Sequence, residues 1–332
     1  MKKIRLILYV FIIIIFSSKV YSYEEFDEWK SDFKKYAFKQ GISLDTLNMT
    51  IDKTTFLPNV IKYDRYQPEF YEDTKTYILK RTSNKKIKIG EKIYSNNQSI
   101  INLISEIYKV DKNLLLSLMG IETNFGNYLG KMDIISSLAT LSFDKRRSEF
   151  FTSELITLLK LIDKEVVDPD TLYGSWAGAF GNFQFMPSTI KNYAIDFNKN
   201  GKIELKKTED SFASAANYLS SLGWSNSEPC FYGIDLKENI PDLYLNFSAK
   251  KIHNIKKVSY LKKYIKNHDF LDKYNNLNAA IITPDAEIVD KPEKLSPAFI
   301  IFDNYRLILK WNRSLRFALA ICTLKEKFSN EL

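Results

Sequence analysis

The stretch DKNLLLSLMGIETNFGN, residues 111–127, decides the fold of this chain. Its apolar residues cover nearly every face of a helix, which predicts a buried helix at the centre of the protein. Asp111 is a favoured N-cap residue, and Asn124 and Gly126 are typical of helix ends, so we predict that the helix lies between them. One acidic residue, Glu122, stands in its last turn.

Glu122 is the most informative residue because it shares a helical face with Leu115 and Leu118. We expect this apolar surrounding to disfavour the charged carboxylate and to raise the pKa of the group. A carboxylic acid that keeps its proton near neutral pH can deliver it to a leaving oxygen. The alternative is a structural glutamate bonded to the backbone amides of the next loop, and the residue alone leaves both readings open.

The overall composition is that of a globular protein. Of 332 residues, 45% are hydrophobic and 27% are charged, which argues against disorder and against a fibre. The net charge of +8 suggests a nucleic-acid partner, but residues 1–22 carry four cations and no anion; without them, 44 Lys and Arg face 40 Asp and Glu, which leaves +4. The basic residues are scattered and no nucleic-acid-binding module is recognisable, so we predict no nucleic-acid partner.

Residues 1–22 have the layout of a secretory signal peptide. Lys2 and Lys3 precede an unbroken apolar run, Leu6 to Phe16, and small or light residues stand before Tyr23. The run is too short to span a bilayer comfortably, and no cysteine follows it for lipid attachment. We therefore expect an exported, periplasmic and soluble protein without a stable membrane anchor.

Histidine and cysteine are scarce, which limits the chemistry. His253 and His268 lie far from each other and from any cysteine in the sequence, so a histidine triad or a zinc site has little support. In an oxidising compartment Cys230 and Cys322 could form a disulfide, and the alternative is two buried free thiols. Both alternatives stay open because the sequence does not place their Cα atoms.

Hydrophobic periodicity predicts a mainly α protein with a small β insert near the C-terminus. We divide the mature chain into an N-terminal helical lobe (23–97), a core (98–228), a small β-containing region (229–312) and a C-terminal helix (313–332) that packs back on the lobe. Helices are predicted at 26–41, 99–109, 112–123, 148–165, 211–224 and 314–328. Strands are predicted at 243–249, 279–285, 297–303 and 305–312, the last two as a hairpin joined near Asn304.

Several spaced motifs resemble the lytic murein transglycosylase B family. The resemblance covers most of the mature chain and implies a lysozyme-like core in an enzyme that acts on the glycan strands of peptidoglycan. The matching motifs are GIETNFG (120–126), ATLSF (139–143) followed by paired arginines, GSWAGAFGNFQFMP (174–187) and ANY (216–218).

The resemblance makes Glu122 a single general acid/base. It would protonate the oxygen that leaves N-acetylmuramic acid (MurNAc), and then take the proton from that sugar's C6 hydroxyl as this hydroxyl attacks C1. The product is a 1,6-anhydroMurNAc end, and no cofactor is required. Two alternatives stay open: a non-catalytic peptidoglycan-binding protein, or a hydrolytic muramidase whose second carboxylate comes from Asp133, Asp144, Asp168 or Asp170.

The resemblance also implies a set of substrate-binding residues. Guanidinium groups suit carboxylates or carbonyls of the stem peptides, and aromatic rings stack on sugars. Trp311 stands where the family more often has tyrosine, a change that keeps stacking and loses a phenolic hydroxyl. The competing explanations are a solvated charged turn, a packed Gly/Ala turn and ordinary core packing. The residues are Tyr77, Arg146, Arg147, Ser175, Gln184, Tyr218, Trp311 and Asn312.

The segment 196–210 begins like an EF-hand calcium loop, with oxygen ligands at positions 1, 3 and 5 and glycine at position 6. Position 12 is Lys207 instead of glutamate, and the resemblance moves the last carboxylate to Asp210. A structural calcium ion and an Asn-Gly turn that keeps its shape without metal both stay open. The candidate ligands are Asp196, Asn198, Asn200, the carbonyl of Lys202 and Asp210.

Overall fold

The computed structural model describes residues 22–65, 72–286 and 295–332, and it confirms a mainly helical protein. The predicted signal peptide lies, apart from Ser22, outside the described residues. The helices are α1 (Tyr23–Lys39), α2 (Leu44–Met49), α3 (Pro58–Arg65), α4 (Thr74–Arg81), α5 (Asn84–Asn96), α6 (Gln98–Tyr108), α7 (Lys112–Thr123), α8 (Ile134–Phe143), α9 (Ser148–Asp163), α10 (Pro187–Tyr193), α11 (Thr208–Leu222), α12 (Val258–Leu261), α13 (Asp303–Trp311) and α14 (Leu315–Glu331). The strands are β1 (Met132–Asp133), β2 (Tyr173–Gly174), β3 (Phe231–Leu236), β4 (Leu245–Asn246), β5 (Lys256–Lys257), β6 (Ile265–Lys266), β7 (Asn278–Ile282) and β8 (Ala298–Ile301).

Helix α7 lies at the centre of the core, as predicted. Leu114 and Leu115 are fully buried in it. The side chain of Asp111 accepts a hydrogen bond from the backbone N–H of Asn113 at 2.9 Å, which caps the first turn. Asn124 and Phe125 both take left-handed backbone conformations, with φ of 48° and 59°, and end the helix one turn later than its last leucine.

One hydrophobic interior joins the N-terminal helices to the rest of the chain. Phe26 of α1 packs edge-on against Phe143 of α8, with ring centroids 5.5 Å apart. Gly90 of α5 leaves room for the ring of Phe328 in α14, since a Cβ at this glycine would lie 2.3 Å from a ring carbon. The C-terminal helix α14 therefore lies against the predicted helical lobe, and Phe328 also packs on Phe125 beyond the end of α7.

The late part of the chain forms a sheet with its own small core. Its strand order is β4-β7-β8-β3-β6, and β5 pairs with the same strand β7 as β4 does. The antiparallel pair β3 and β8 aligns Phe231 with Ile301, and β7 aligns Ala280 with the same isoleucine. A separate short pair, β1 and β2, joins the loop after α7 to a glycine-rich loop at residues 174–186.

The predicted hairpin of residues 297–303 and 305–312 is wrong in its second half. Residues 297–303 contain strand β8, but the next segment is helix α13. Its buried side chains, Tyr305, Ile308 and Leu309, recur at three and four residues, which is the period of a helix face. The antiparallel partners of β8 are instead β7, which overlaps the strand predicted at 279–285, and β3, which the sequence does not predict. The strand predicted at 243–249 is reduced to the two residues of β4.

Cys230 and Cys322 form a disulfide with Cα atoms 6.1 Å apart, so the pairing alternative is confirmed. The bond ties the start of β3 to α14. Disulfides of this kind are typical of oxidising compartments outside the cytosol. Among the described residues, no helix combines the length and apolarity needed to cross a bilayer.

Candidate active site

Glu122 stands where the buried helix α7 opens to solvent. Leu115 and Leu118 are fully buried, whereas Glu122 is half-buried because the helix ends one residue later. The carboxylate is therefore only partly enclosed: it lines a cleft of about 400 Å³ together with both apolar and cationic side chains. The other residues that line the cleft include Lys80, Lys85, Lys86, Ile89, Asn124 and Tyr128.

A tryptophan from a distant part of the chain fixes one oxygen of this carboxylate. The indole Nε1–H of Trp311 donates a hydrogen bond to Oε1 of Glu122 at 3.0 Å. Tryptophan can only donate, so this contact stabilises a defined orientation of the carboxylate. The two residues are separated by 189 positions, and the sequence predicts Trp311 only as a stacking surface.

Trp311 belongs to a stack of three aromatic rings. The ring centroids of Trp311 and Tyr218 are 5.1 Å apart, and those of Tyr218 and Tyr193 are 4.4 Å apart, with interplanar angles of 30° and 29°. Phe185 packs edge-on against Trp311 at 5.3 Å. Burial, and then the neighbouring Tyr193, raise the pKa of the Tyr218 phenol, so it stays a neutral donor and bonds the carbonyl of Lys310.

Tyr193 and Phe185 are site residues that the sequence reasoning missed. Phe185 directly follows the predicted Gln184 in the glycine-rich motif, and that adjacency was an available signal. Tyr193 is the last residue of α10, and nothing in its local sequence distinguishes it from an ordinary surface tyrosine. Only the folded packing of α10 on α11 places it against Tyr218.

The glycine-rich loop 174–186 is joined to the loop that follows Glu122. Thr123, next to the glutamate, donates its hydroxyl hydrogen to the carbonyl of Asn182 at 2.9 Å. The side-chain amide of Gln184 donates to the carbonyls of Leu129 and Gly181 at 3.3 and 3.0 Å. These bonds place Gln184 beside the loop that follows Glu122.

The glycines of this loop allow close packing within the protein. A Cβ at Gly178 would lie 2.4 Å from Leu138, and one at Gly181 would lie 2.5 Å from Leu205. These contacts support the packed Gly/Ala turn, which is one of the explanations that the sequence leaves open for this motif. Ser175 closes the same turn, since its Oγ accepts a hydrogen bond from the N–H of Ala179 at 3.0 Å.

The arginine pair is bound to a buried aspartate. Arg146 Nε lies 2.9 Å from Asp64 Oδ2, and Arg147 Nη1 lies 3.2 Å from Asp64 Oδ1. The Asp64 side chain is only 1% exposed, whereas those of the arginines are 45% and 40% exposed. A reciprocal pair joins Arg65 to Asp144 at 2.8 Å, so the turn after α8 is fastened to α3 by five charged side chains.

Two predicted substrate contacts remain, Tyr77 and Asn312. Tyr77 is buried in α4, and the guanidinium group of Arg81 lies 3.5 Å from its ring centroid. Asn312 directly follows Trp311 and is half-buried just beyond the end of α13. Their roles as substrate ligands stay predictions.

The segment 196–210 folds into a turn in which two carboxylates accept backbone hydrogen bonds. The carboxylate of Asp196 accepts hydrogen bonds from the N–H groups of Asn200 and Gly201 at 3.1 and 2.8 Å. Fully buried Asp210 accepts from Phe197 and Glu204, both at 2.9 Å. Oxygen-only donors fit calcium, although among the described residues no three acidic, histidine or cysteine side chains form a metal-binding group.

Comparison with known proteins gives a consistent family assignment. A family model described as a transglycosylase SLT domain matches residues 25–326. Membrane-bound lytic murein transglycosylase B of Escherichia coli (strain K12) is 40% identical over 139 residues, which is 42% of this chain and only 38% of that protein.

Solved structures match over nearly the whole chain. SltB3 from Pseudomonas aeruginosa, in complex with NAG-NAM-pentapeptide, is 28% identical with a TM-score of 0.81, and the match covers 92% of this chain and 79% of that one. The Escherichia coli lytic transglycosylase Slt35, in complex with calcium, is 25% identical with a TM-score of 0.74, and the match covers 91% and 93% of the two chains.

Proposed function

The chain belongs to the transglycosylase SLT domain family, and from that premise we propose that it is an exported lytic transglycosylase that cleaves peptidoglycan. The resemblance predicted from the motifs and the lysozyme-like fold are confirmed. The observation that carries the proposal is a single glutamate, Glu122, at the mouth of a cleft, with one of its oxygens held by Trp311.

In the proposed reaction Glu122 acts twice. As an acid it gives its proton to the glycosidic oxygen between MurNAc and N-acetylglucosamine (GlcNAc), and the C1–O bond breaks. As a carboxylate it then accepts the proton of the C6 hydroxyl of the same MurNAc, whose oxygen bonds to C1. Glu122 ends protonated, no water is consumed and the new end is 1,6-anhydroMurNAc. The C6 hydroxyl is tethered to the reacting ring, which gives it a high effective concentration.

The surroundings of the other carboxylates support a one-carboxylate mechanism. Asp133 caps α8 by accepting a hydrogen bond from the N–H of Ile135 at 3.0 Å. Asp144 is ion-paired with Arg65, and Asp168 caps a short helix by accepting from the N–H of Asp170 at 3.0 Å. A hydrolytic muramidase needs a second carboxylate free to activate water, and three of the four candidates already have structural partners.

The aromatic stack and the loop around Gln184 provide a surface for the sugars. Stacked rings offer flat apolar faces, and the protein similar to this one that was solved with NAG-NAM-pentapeptide supports a glycan-peptide ligand. We assign Trp311 to the sugar rings and Gln184, Ser175 and Asn312 to polar groups along the strand. Tyr218 is the middle ring of the stack, with Trp311 and Tyr193 on its two faces, so we assign it the role of supporting Trp311.

For the loop 196–210 we propose a weak structural calcium site. The donors would be Asp196, Asn198, Asn200, the Lys202 carbonyl and Asp210, and the Slt35 structure solved with calcium supports the proposal. Two formal charges imply low affinity. Calcium should raise the melting temperature of the wild type above that in a chelator, and Asp210→Asn should remove this difference; equal melting temperatures would identify a metal-free turn.

Export follows from the leader-like residues 1–22 and from the disulfide. We propose that the leader is removed and that the mature protein works in the periplasm. Mass spectrometry of the protein purified from the periplasmic fraction should give a chain that starts at Tyr23.

The decisive experiment is product analysis with purified peptidoglycan. Wild type should release fragments with 1,6-anhydroMurNAc ends, and Glu122→Gln, which keeps the size and the hydrogen bond to Trp311, should release none. Ordinary reducing ends would identify a hydrolase instead. Binding of peptidoglycan without any cleavage by wild type would identify a non-catalytic wall-binding protein.

A further inference from the structure

A second groove, of about 330 Å³, lies beside helix α13. Its floor is apolar and is formed by Ala249, Ile252 and Leu309. Five cations complete the lining, and no acidic side chain contributes to it. The cations are Lys250, Lys251, Arg306, Lys310 and Arg313.

Most of these cations are uncompensated within the protein. Arg306 is ion-paired with Asp303, but the other four have no ion-pair partner in the part of the chain that the structure describes. Like charges that line one groove raise the local positive potential and attract an anion. This concentration is unexpected for a mature chain whose predicted net charge is only +4.

Residues 310–313 of the chain connect the groove to the aromatic stack. Lys310 and Arg313 stand on either side of Trp311 in the sequence, and Trp311 bonds the carboxylate of Glu122. Tyr218 donates its hydroxyl hydrogen to the carbonyl of Lys310 at 3.3 Å. Because two residues of chain span at most about 7 Å, an anionic group attached to a sugar on this stack is within reach of the groove.

We propose that this groove binds the carboxylates of the stem peptides attached to the glycan strand at Glu122. The inference rests on the proposed function. Stem peptides carry free carboxylates and alanine methyl groups, which match a cationic rim and an apolar floor. The arginine pair that the family resemblance suggests for this task already has a buried partner, Asp64. The lysines of the groove have no ion-pair partner among the described residues.

The test compares two forms of the same substrate: strands with stem peptides, and strands from which an amidase has removed them. In Lys250→Glu/Lys251→Glu the preference for peptide-bearing strands, taken as the ratio of kcat/KM values, should fall about tenfold, because each exposed ion pair contributes roughly threefold and the two effects multiply. The matched control is Lys39→Glu/Lys164→Glu, which makes the same charge change at exposed positions outside both clefts. Its ratio should equal that of the wild type.

A binding measurement separates this inference from the proposed function. In the Glu122→Gln background the same two charge reversals should weaken binding of peptide-bearing strands relative to stripped strands, whether or not the wild type cleaves. An unchanged ratio in both assays overturns the groove assignment and leaves the enzyme intact. Polyglycerol phosphate, a polymer of phosphate groups without peptides, serves as a competing ligand. If the two charge reversals abolish its binding but leave the stem-peptide ratio unchanged, the groove is a phosphate site and the inference is also overturned.

Discussion

Two positively charged regions of this protein differ in whether their cations have ion-pair partners within the described part of the chain. The arginine pair, Arg146 and Arg147, is bound to Asp64, which is only 1% exposed. In the groove beside α13, Lys310 and Arg313 have no ion-pair partner among the residues that the structure describes. The first region is closed by the fold, and the second is open to a ligand.

The difference shows that a cluster of cations in a sequence does not reveal which charges are available. The partner of the arginines comes from α3, about 80 positions upstream of them. A buried carboxylate needs such a partner because desolvation without compensation is costly. Free cations at an exposed groove cost little, and this allows them to be kept for binding.

The largest expected effect concerns the disulfide that fastens the β-containing region, and with it the floor of the open groove. Cys230→Ala/Cys322→Ala should lower the free energy of unfolding by about 4.6 kcal/mol, as estimated from loop-closure entropy for a separation of 92 residues. Urea unfolding measures this loss. In this variant, backbone amide hydrogen exchange should increase more around Ile252, in the open groove, than around Asp64, in the closed region. An equal increase at both places would show that the disulfide does not stabilise the open groove in particular.

The next effect tests the closed region. Arg146→Ala/Arg147→Ala should lower the free energy of unfolding by about 3 kcal/mol, because it leaves the Asp64 carboxylate buried without a charged partner. The matched variant in the open region, Lys310→Ala/Arg313→Ala, should change stability by less than about 0.5 kcal/mol. Equal losses in urea unfolding would remove the distinction between closed and open.

A smaller effect concerns the residue between the open groove and the glutamate. Trp311→Phe keeps an aromatic ring against Tyr218 and removes the donor to Glu122, so kcat should fall roughly tenfold, as expected for a hydrogen bond to a charged group. Tyr193→Phe, which keeps its ring in the same stack, should change kcat less than about twofold. If both variants behave alike, the indole hydrogen bond has no role in the reaction.

The smallest effect is that of salt. Raising the ionic strength from about 0.05 to about 0.5 M should reduce the preference for peptide-bearing strands a few-fold, since exposed charges are screened. The stability difference between wild type and the arginine double variant should change much less, because Asp64 is buried. A preference that does not respond to salt would argue against binding through the open groove.

The local features of the chain were predictable from its sequence. The buried helix α7, its cap at Asp111 and its end at Asn124 follow from side-chain periodicity and backbone preference, which act over a few residues. The helix α13 was misassigned as a strand because a short apolar run fits both periods. The fold family was recognisable because several motifs keep their order and spacing.

The sequence by itself therefore determined the main helices, the family and the identity of Glu122 as the candidate acid. Only the tertiary structure decided which residues meet: Trp311 on Glu122 across 189 positions, Asp64 on the arginine pair, and Cys230 on Cys322. The same holds for the four cations of the groove that have no ion-pair partner within the described ranges of the chain. Contacts of this kind depend on how whole elements pack, and local propensity and periodicity do not encode that arrangement.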